Sequence, residues 1–206
     1  AKIVEHLGRK ALMGTAMLKD IKFENGVIEV DIAVSGARSY PGILFRVQDL
    51  ENYERFYIRP HRAGCTPLPL YPDVLQYVPA FNGIDSWQLY NGAGFTAPAV
   101  IPSGQWFSVR LEVSGTQARV FVGNMDKPAM LIHDLKHGKS GGTIGLMGPL
   151  DGTAYFSNFK FHADNSLLFD PPPHKEIAPG IIPDWQISRP FRALAVDLEK
   201  TPEQQG

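Results

Sequence analysis

The chain has 206 residues, which is enough for one domain of ordinary size with an extension. Its 20 lysines and arginines balance 21 acidic residues, and this excludes an overall electric field that would attract nucleic acid or an anionic membrane surface. Apolar residues make up 44% of the chain, but no run approaches the roughly 18 residues of a membrane helix, so we expect no membrane span.

The single cysteine, Cys65, excludes an intrachain disulfide, so a hydrophobic core must stabilise the fold. The first residues, KIVEHLGRK, contain no signal peptide, although Ala1 is compatible with a processed terminus. These features fit a cytoplasmic protein as well as a periplasmic one and leave the compartment open. Our preferred expectation is a periplasmic or secreted bacterial protein.

Short stretches with an apolar period of two, separated by glycines and prolines, predict β-strands along most of the chain. In the first of them Ile28, Val30 and Ile32 share one face, while Glu29 and Asp31 lie on the other. The predicted strands lie within residues 25–34, 42–49, 51–60, 106–115, 117–124, 142–148 and 153–163. Eight to ten such strands without helical periodicity predict an all-β protein, an antiparallel two-sheet jelly-roll sandwich.

The composition changes after about residue 165, which predicts a sandwich domain over residues 1–165 and an extended tail over residues 166–206. The tail is rich in proline and cannot form central strands. It also contains apolar residues such as Trp185, which indicate that it packs on a surface. Two interpretations stay open: the tail covers its own sandwich, or it contacts a partner or a second domain.

Three motifs carry a resemblance to a known superfamily. They are Gly42-x-x-Phe45-Arg46, Gly104-x-Trp106 before a long strand, and Gly142-x-Ile144-Gly145-Leu146 before Phe156-x-Asn158-Phe159. With the strand order, they resemble the concanavalin A-like lectin/glucanase superfamily over residues 5–165, and within it laminin G-like and bacterial 3-keto-disaccharide hydrolase-like domains. The resemblance implies a curved sandwich whose concave sheet often carries a sugar site.

The alternation also predicts a polar patch on the concave sheet. If the strands at 25–34 and 42–49 form a hairpin with their apolar rows on one face, Asp31 lies near Arg46 and Glu29 near Gln48. The strand at 51–60 then adds its own polar row to the same face. That row consists of Arg55, Tyr57, Arg59 and His61.

Such a patch has the chemistry of sugar recognition, because guanidinium, carboxylate and amide groups bond hydroxyl pairs beside aromatic rings. Gln76, Tyr77 and Trp87, in the loop-rich stretch after it, extend the predicted site as a rim. Three arginines against two carboxylates leave a positive surplus, which suits a uronic acid or a sulfated sugar. The alternative is a solvated sheet face with cross-strand ion pairs.

Two further functions stay open. Glucanases of the superfamily use an E-x-D-x-x-E strand, and here Glu29 and Asp31 are present but Val34 replaces the third carboxylate. A glycoside hydrolase or a 3-keto-glycoside-cleaving enzyme would therefore use Glu29, Asp31 and His61 as catalytic residues, with His61 donating a proton. The third class is a protein-interaction module that acts through the proline-rich tail.

We predict no metal site from the residue spacing. His133 and His137 are four residues apart, but the glycine-rich turn that follows favours a surface loop. The resemblance admits calcium, since relatives sometimes bind it with loop carboxylates. The candidate carboxylates are Asp49, Glu51, Asp73 and Asp85, and their spacing is not diagnostic.

Overall fold

The strands form two antiparallel sheets in a computed structural model that describes residues 1–63, 71–85 and 87–170. The seven-stranded sheet has, in spatial order, β1 (Lys2–His6), β2 (Arg9–Met13), β13 (Ala154–Ala163), β4 (Gly26–Val34), β9 (Trp106–Ser114), β10 (Gln117–Val122) and β11 (Met130–Ile132). The six-stranded sheet has β3 (Ala16–Met17), β12 (Thr143–Met147), β5 (Gly42–Val47), β6 (Tyr53–Ile58), β7 (Leu75–Ala80) and β8 (Thr96–Ala97). The predicted all-β jelly-roll sandwich is confirmed.

The core lies between the two sheets and is built from the apolar row of each strand. Ile28 and Ile32 of β4 are fully buried, as are Leu111 of β9 and Phe56 and Ile58 of β6. Successive side chains of a strand point to opposite faces, so one row enters the core and the other faces outward. The alternation in the sequence thus determines which residues remain for a site on the outer faces.

The structure contradicts the predicted hairpin between the strands at 25–34 and 42–49. β4 pairs with β13 and β9 in the seven-stranded sheet, whereas β5 pairs with β12 and β6 in the other sheet. The two apolar rows therefore face each other across the core instead of lying side by side. The alternation of apolar and polar residues shows which face of a strand is buried, but it does not show which strand lies next to it. The predicted hairpin was wrong for this reason.

Several strands are absent from the sequence prediction. β7 occupies a stretch that the sequence predicts to be a loop, and Pro79 inside it is typical of loops. In the structure Pro79 nevertheless pairs opposite Glu54 of β6. The chain also begins with the β1–β2 hairpin, whose turn has Leu7 and Gly8 at positive φ values of 45° and 71°. β7 matters most for the site, because it makes β6 an interior strand.

The sandwich extends past the predicted boundary at residue 165. Ser114 Oγ donates a hydrogen bond of 2.5 Å to the carbonyl of Leu167, and the guanidinium of Arg119 lies 4.1 Å from the ring centroid of Phe169. Residues 1–170 form one compact unit. Most of the predicted proline-rich tail, from residue 171 onward, lies outside the described residues, as does its predicted partner contact.

Among residues 1–63, 71–85 and 87–170, no helix is long and apolar enough to cross a membrane.

Arg46 links the two sheets at one end of the sandwich. Its side chain is fully buried, and its guanidinium donates to the carbonyls of Glu24 (2.8 Å), Gly115 (2.6 Å) and Gly138 (2.7 Å) and to Asn25 Oδ1 (3.2 Å). Its φ of 50° interrupts the alternation of β5, opposite a register shift in β12. The prediction that Arg46 lies on an outer polar face is therefore wrong.

We expect Arg46→Met to lower the free energy of unfolding by about 3 kcal/mol or more, because three buried carbonyls lose their donor. Urea denaturation followed by fluorescence measures the change. The control is Arg119→Met on the seven-stranded sheet, for which we expect a loss within about 1 kcal/mol. Equal midpoints for the two variants would contradict the assignment of Arg46 as a link between the sheets.

Candidate binding pocket on the six-stranded sheet

A pocket of about 420 Å³ opens on the outer face of the six-stranded sheet. This volume lies within the roughly 300–1,000 Å³ that is typical of small-molecule sites. β6 and Arg59 directly after it form the floor, while the segments around residues 38–40, 61–62 and 73, with Asp85 and Trp87, form the walls. The lining residues are Arg38, Tyr40, Arg55, Tyr57, Arg59, His61, Arg62, Asp73, Asp85 and Trp87.

β6 supplies the floor because one of its faces packs in the core and the other faces the pocket. Phe56 and Ile58 point into the core, so Arg55 and Tyr57 point to the pocket, and Arg59 follows directly after the strand. Neighbouring strands and loops cover this outer face, leaving Arg55 only 9% and Arg59 only 5% exposed. The floor is thus a row of largely buried cations around one aromatic ring.

A close contact between β5 and β6 brings the 38–40 segment over the pocket. Gly42 lies opposite Tyr57, and a Cβ at Gly42 would lie 2.0 Å from the carbonyl oxygen of Phe56, so only glycine fits there. The carbonyl of Pro41 accepts a hydrogen bond of 2.9 Å from the amide of Ile58. Gly42 is part of the sequence motif that ends at Arg46, and its role is to place the preceding loop against the pocket.

Both terminal nitrogens of Arg59 are engaged by protein groups. Its Nη1 donates to the carbonyl of Asp73 at 2.6 Å, and its Nη2 donates to Tyr57 Oη at 2.9 Å and to Gln76 Oε1 at 2.8 Å. The guanidinium carbon lies 5.0 Å from the ring centroid of Tyr57 and 5.5 Å from that of Trp87. Arg59 therefore holds the floor and wall of the pocket together.

Arg55 is engaged less completely. Its Nη2 donates to the carbonyl of Tyr40 at 2.8 Å, and its Nη1 lies 3.6 Å from Asp85 Oδ2. Within the described residues its buried Nε has no hydrogen-bond partner. Burial lowers the pKa of Arg55 below its ordinary value, although an arginine remains protonated at neutral pH. Arg55 is thus a buried cation with a free donor at the pocket.

His61 lies at the wall beside Tyr40, with the two rings edge to face and their centroids 5.6 Å apart. Its Nδ1 is buried and has no partner among the described residues. Desolvation lowers the pKa of His61, and the charges of Arg38, Arg62 and Arg59 lower it further, against a smaller opposing effect of Asp73. The imidazole is therefore neutral at pH 7 and has a free ring nitrogen.

The pocket has a surplus of positive charge. Asp73 Oδ2 accepts a hydrogen bond from Arg62 and lies 3.8 Å from Arg59 Nη1, while Asp73 Oδ1 is buried without a partner in the described part of the chain. Four arginines and two aspartates line the pocket, so four positive and two negative charges leave +2. Arg55 and Arg59 contribute to this surplus as expected from the sequence, whereas Arg38, Arg62, Asp73 and Asp85 take the places expected for Arg46, Glu29 and Asp31.

The predicted catalytic residues do not meet. Glu29 and Asp31 lie on the outer face of β4 in the seven-stranded sheet, at a separate shallow depression of about 230 Å³. His61 lies at the pocket on the six-stranded sheet. The core separates the two faces, so the prediction of one site with Glu29, Asp31 and His61 is wrong.

Asp31 is held in a network of its own. Its carboxylate accepts hydrogen bonds from Arg9 Nη1 (2.6 Å), Ser108 Oγ (2.6 Å) and Asn158 Nδ2 (2.8 Å). Desolvation raises the pKa of Asp31, but these hydrogen bonds and the Arg9 charge outweigh it, so the pKa lies below the ordinary value. Asp31 is thus an ionised side chain that stabilises the outer face of the seven-stranded sheet.

Besides Arg46, three predicted contact residues lie outside the pocket lining. Tyr77 points into the core, where its hydroxyl donates to Glu54 Oε2 at 2.5 Å, because it lies opposite Phe56 and shares its face. Gln48 lies beyond β5, and its Nε2 is 3.4 Å from His137 Nδ1. Gln76 lies beneath the floor and binds Arg59 rather than opening to solvent.

Half of the residues that line the pocket were not predicted as binding or catalytic residues. Arg38, Tyr40 and Arg62 were not predicted, and Asp73 and Asp85 were considered only as calcium ligands. They lie on loops, and no periodicity relates a loop residue to a strand. The only local signal was the polar composition of those loops.

The described residues contain no cluster of three His, Cys, Asp or Glu side chains that would hold a metal ion. Asp73 and Asp85 are paired with arginines, and the carboxylate of Asp49 accepts hydrogen bonds from the Glu51 amide and from Asn52. Calcium binding stays an untested prediction.

Several solved structures share the fold. A carbohydrate-binding module, CBM66 from Bacillus subtilis, is 18% identical, with 79% of this chain and 91% of that chain covered and a TM-score of 0.57. Chicken galectin 2 is 12% identical, with 73% and 98% covered and a TM-score of 0.52. Lactose- and MES-liganded congerin II is 10% identical, with 72% and 99% covered and a TM-score of 0.51.

Neither a protein-family model nor a curated protein matches the chain. The structural likeness, at such low identity, shows the fold alone: the chain has the jelly-roll fold that the resemblance to the concanavalin A-like superfamily implies. The narrower likeness to laminin G-like and 3-keto-disaccharide hydrolase-like domains stays a prediction.

We expect Asp31→Asn to lower the free energy of unfolding at pH 7 by about 1–2 kcal/mol, because three hydrogen bonds lose their charged acceptor. The folded-state pKa of Asp31 is lowered, so its stabilising effect is present above the unfolded pKa of about 3.9 and is lost as the pH falls through the folded value.

Urea denaturation of both proteins from pH 7 to pH 2 measures the difference, which should vanish at the acid end. Glu29→Gln, on the same strand and exposed, is the control and should change stability by less than about 0.5 kcal/mol. A difference that is constant across the pH range would contradict the ionised network.

Proposed function

We propose that this concanavalin A-like jelly roll binds a saccharide in the pocket on its six-stranded sheet. The observation that carries the proposal is a set of three buried polar atoms at the pocket without partners in the described residues: Arg55 Nε, His61 Nδ1 and Asp73 Oδ1. Buried polar groups normally have hydrogen-bond partners, so unsatisfied ones at a pocket indicate a ligand or water. A sugar supplies adjacent hydroxyls that both donate and accept.

Aromatic side chains at the pocket favour a sugar over a fully polar ligand. Trp87 is 45% exposed and Tyr40 is 37% exposed, and both line the pocket. Their rings offer flat apolar surface next to the polar floor, which is the combination that the two faces of a pyranose require. Trp87 also has its position fixed by Arg59, whose guanidinium carbon lies 5.5 Å from its ring centroid.

The fold supports the same conclusion at a coarser level. One structural neighbour is a carbohydrate-binding module, and another is a protein solved with lactose. A shared fold does not transfer a ligand, since one fold hosts many functions. The fold therefore supports sugar binding only in general terms. The side chains of the pocket support it for this protein.

We expect Trp87→Ala to weaken saccharide binding about tenfold or more, because it removes the exposed aromatic wall of the pocket. A glycan array identifies the best ligand, and calorimetry then measures its dissociation constant. The matched control is Trp106→Ala on the seven-stranded sheet, which should leave affinity unchanged within about twofold.

Two outcomes would contradict the proposal. Loss of binding in Trp106→Ala with full binding in Trp87→Ala would move the site to the seven-stranded sheet. Absence of binding to every glycan on the array, by a protein with the expected β-sheet circular dichroism, would reject saccharide binding itself.

A further inference from the structure

We infer that the pocket selects saccharides with an anionic substituent, a uronate carboxylate or a sulfate ester, through a subsite formed by Arg55, Arg38 and His61. This inference rests on the proposed function and narrows its ligand class. The basis is that protein groups neutralise and hydrogen-bond some of the pocket's arginines more completely than others.

Arg59 and Arg55 differ in this respect, although they are neighbours on the same face. The donors of Arg59 are occupied by a backbone carbonyl, Tyr57 and Gln76. Arg55 has one short hydrogen bond, to the carbonyl of Tyr40, and a free Nε. Its nearest carboxylate, Asp85, is 3.6 Å away with a side chain that is 37% exposed. Arg55 therefore keeps a buried positive charge that the described residues compensate only in part.

Tyr40 connects a second cation to this position. Arg38 Nε donates to Tyr40 Oη at 2.9 Å, while the carbonyl of the same tyrosine accepts from Arg55. The ring of Tyr40 also lies edge to face with His61. Arg38 and Arg55 thus contact the two ends of Tyr40, and His61 lies against its ring. Among the lining carboxylates in the described residues, Asp85 alone lies within 4.0 Å of either arginine.

An anionic group satisfies this position better than a sugar hydroxyl. A hydroxyl that accepts a hydrogen bond from the Arg55 guanidinium leaves the positive surplus unchanged. A carboxylate or sulfate accepts the same hydrogen bond in its charge-assisted form, which is roughly twice as strong, and neutralises the surplus in a partly desolvated pocket. The pocket therefore distinguishes ligands by their charge as well as by their shape.

The test compares ligands that differ only in charge. Calorimetry at low ionic strength measures binding of trigalacturonate against its fully methyl-esterified form, and of a sulfated galactan oligosaccharide against its desulfated form. We expect the acidic member of at least one pair to bind about tenfold tighter or more, with an advantage that decreases as salt is added. The pair that shows the effect identifies carboxylate or sulfate as the preferred group.

Variants then locate the subsite. Arg55→Gln should weaken acidic-ligand binding about 10- to 100-fold and neutral-ligand binding to a smaller extent, so that the ratio of the two affinities falls about tenfold. Because Arg55 is buried and its replacement carries a risk of misfolding, exposed Arg38→Gln is the second variant, with an expected three- to tenfold fall in the same ratio. Arg119→Gln changes the net charge equally on the other sheet and should have no effect.

His61 provides an independent signal. In the free protein its pKa is lowered by desolvation and by Arg38, Arg62 and Arg59, with Asp73 opposing. An anion next to the ring favours the protonated form, so binding should raise the pKa measured by NMR titration. Affinity for the acidic ligand should then fall as the pH rises through about 5 to 8, whereas affinity for the neutral partner stays flat.

The results separate this inference from the proposed function. Equal binding of acidic and neutral partners, with binding reduced by Trp87→Ala, would overturn anion selection and leave saccharide binding intact. An acidic preference that survives in both Arg55→Gln and Arg38→Gln would also overturn the subsite. Absence of binding to all four oligosaccharides and to the glycan array would reject the proposed function and, with it, this inference.

Discussion

The position of β5 depends on the buried guanidinium of Arg46, and the pocket depends on β5. Arg46 reaches from the six-stranded sheet to the turn before β4 and to the β9–β10 turn of the other sheet, where it binds the carbonyls of Glu24 and Gly115. A buried cation is tolerated only when its donors are occupied, and here four acceptors occupy them. Glu54 on the neighbouring β6 adds an opposite charge that favours the protonated Arg46. The two sheets and the β5–β6 pair are thus fixed together.

β6 then combines two environments in one strand. Its core row fixes its height and rotation, so the outer row of Arg55 and Tyr57 has a fixed direction. Loops cover that row and remove water from its guanidinium groups, and this desolvation costs free energy. The ring of Tyr57 and hydrogen bonds to Gln76 and to the carbonyl of Asp73 compensate Arg59, whereas Arg55 keeps an unpartnered donor in the described residues. The same covering loops that create this imbalance also create the pocket.

The two outer faces of the sandwich therefore have different chemistry. On the seven-stranded sheet the Asp31 carboxylate is saturated by three donors from neighbouring strands, so its polar residues stabilise the sheet. On the six-stranded sheet the buried polar atoms at the pocket are incompletely paired within the described residues. Polar composition alone does not distinguish these cases. Hydrogen-bond saturation distinguishes Asp31 from the three unpartnered atoms at the pocket, and it is the physical basis for proposing a ligand there. Arg110 Nε on the seven-stranded sheet is also without a hydrogen-bond partner in the described residues, but it lies 3.0 Å from the carboxylate of Glu112.

The sequence by itself determined the fold class and the composition of each strand face, because a period of two separates core from outer residues without knowledge of the neighbours. It therefore placed Phe56 and Ile58 inside and Arg55, Tyr57 and Arg59 outside correctly. Only the tertiary structure decided which strands pair and which loops meet. Strand neighbours, the left-handed backbone of Arg46 and the loop residues Arg38 and Asp85 depend on contacts between residues distant in the chain. No local period encodes such contacts, so the row on β6 was predictable and the walls around it were not.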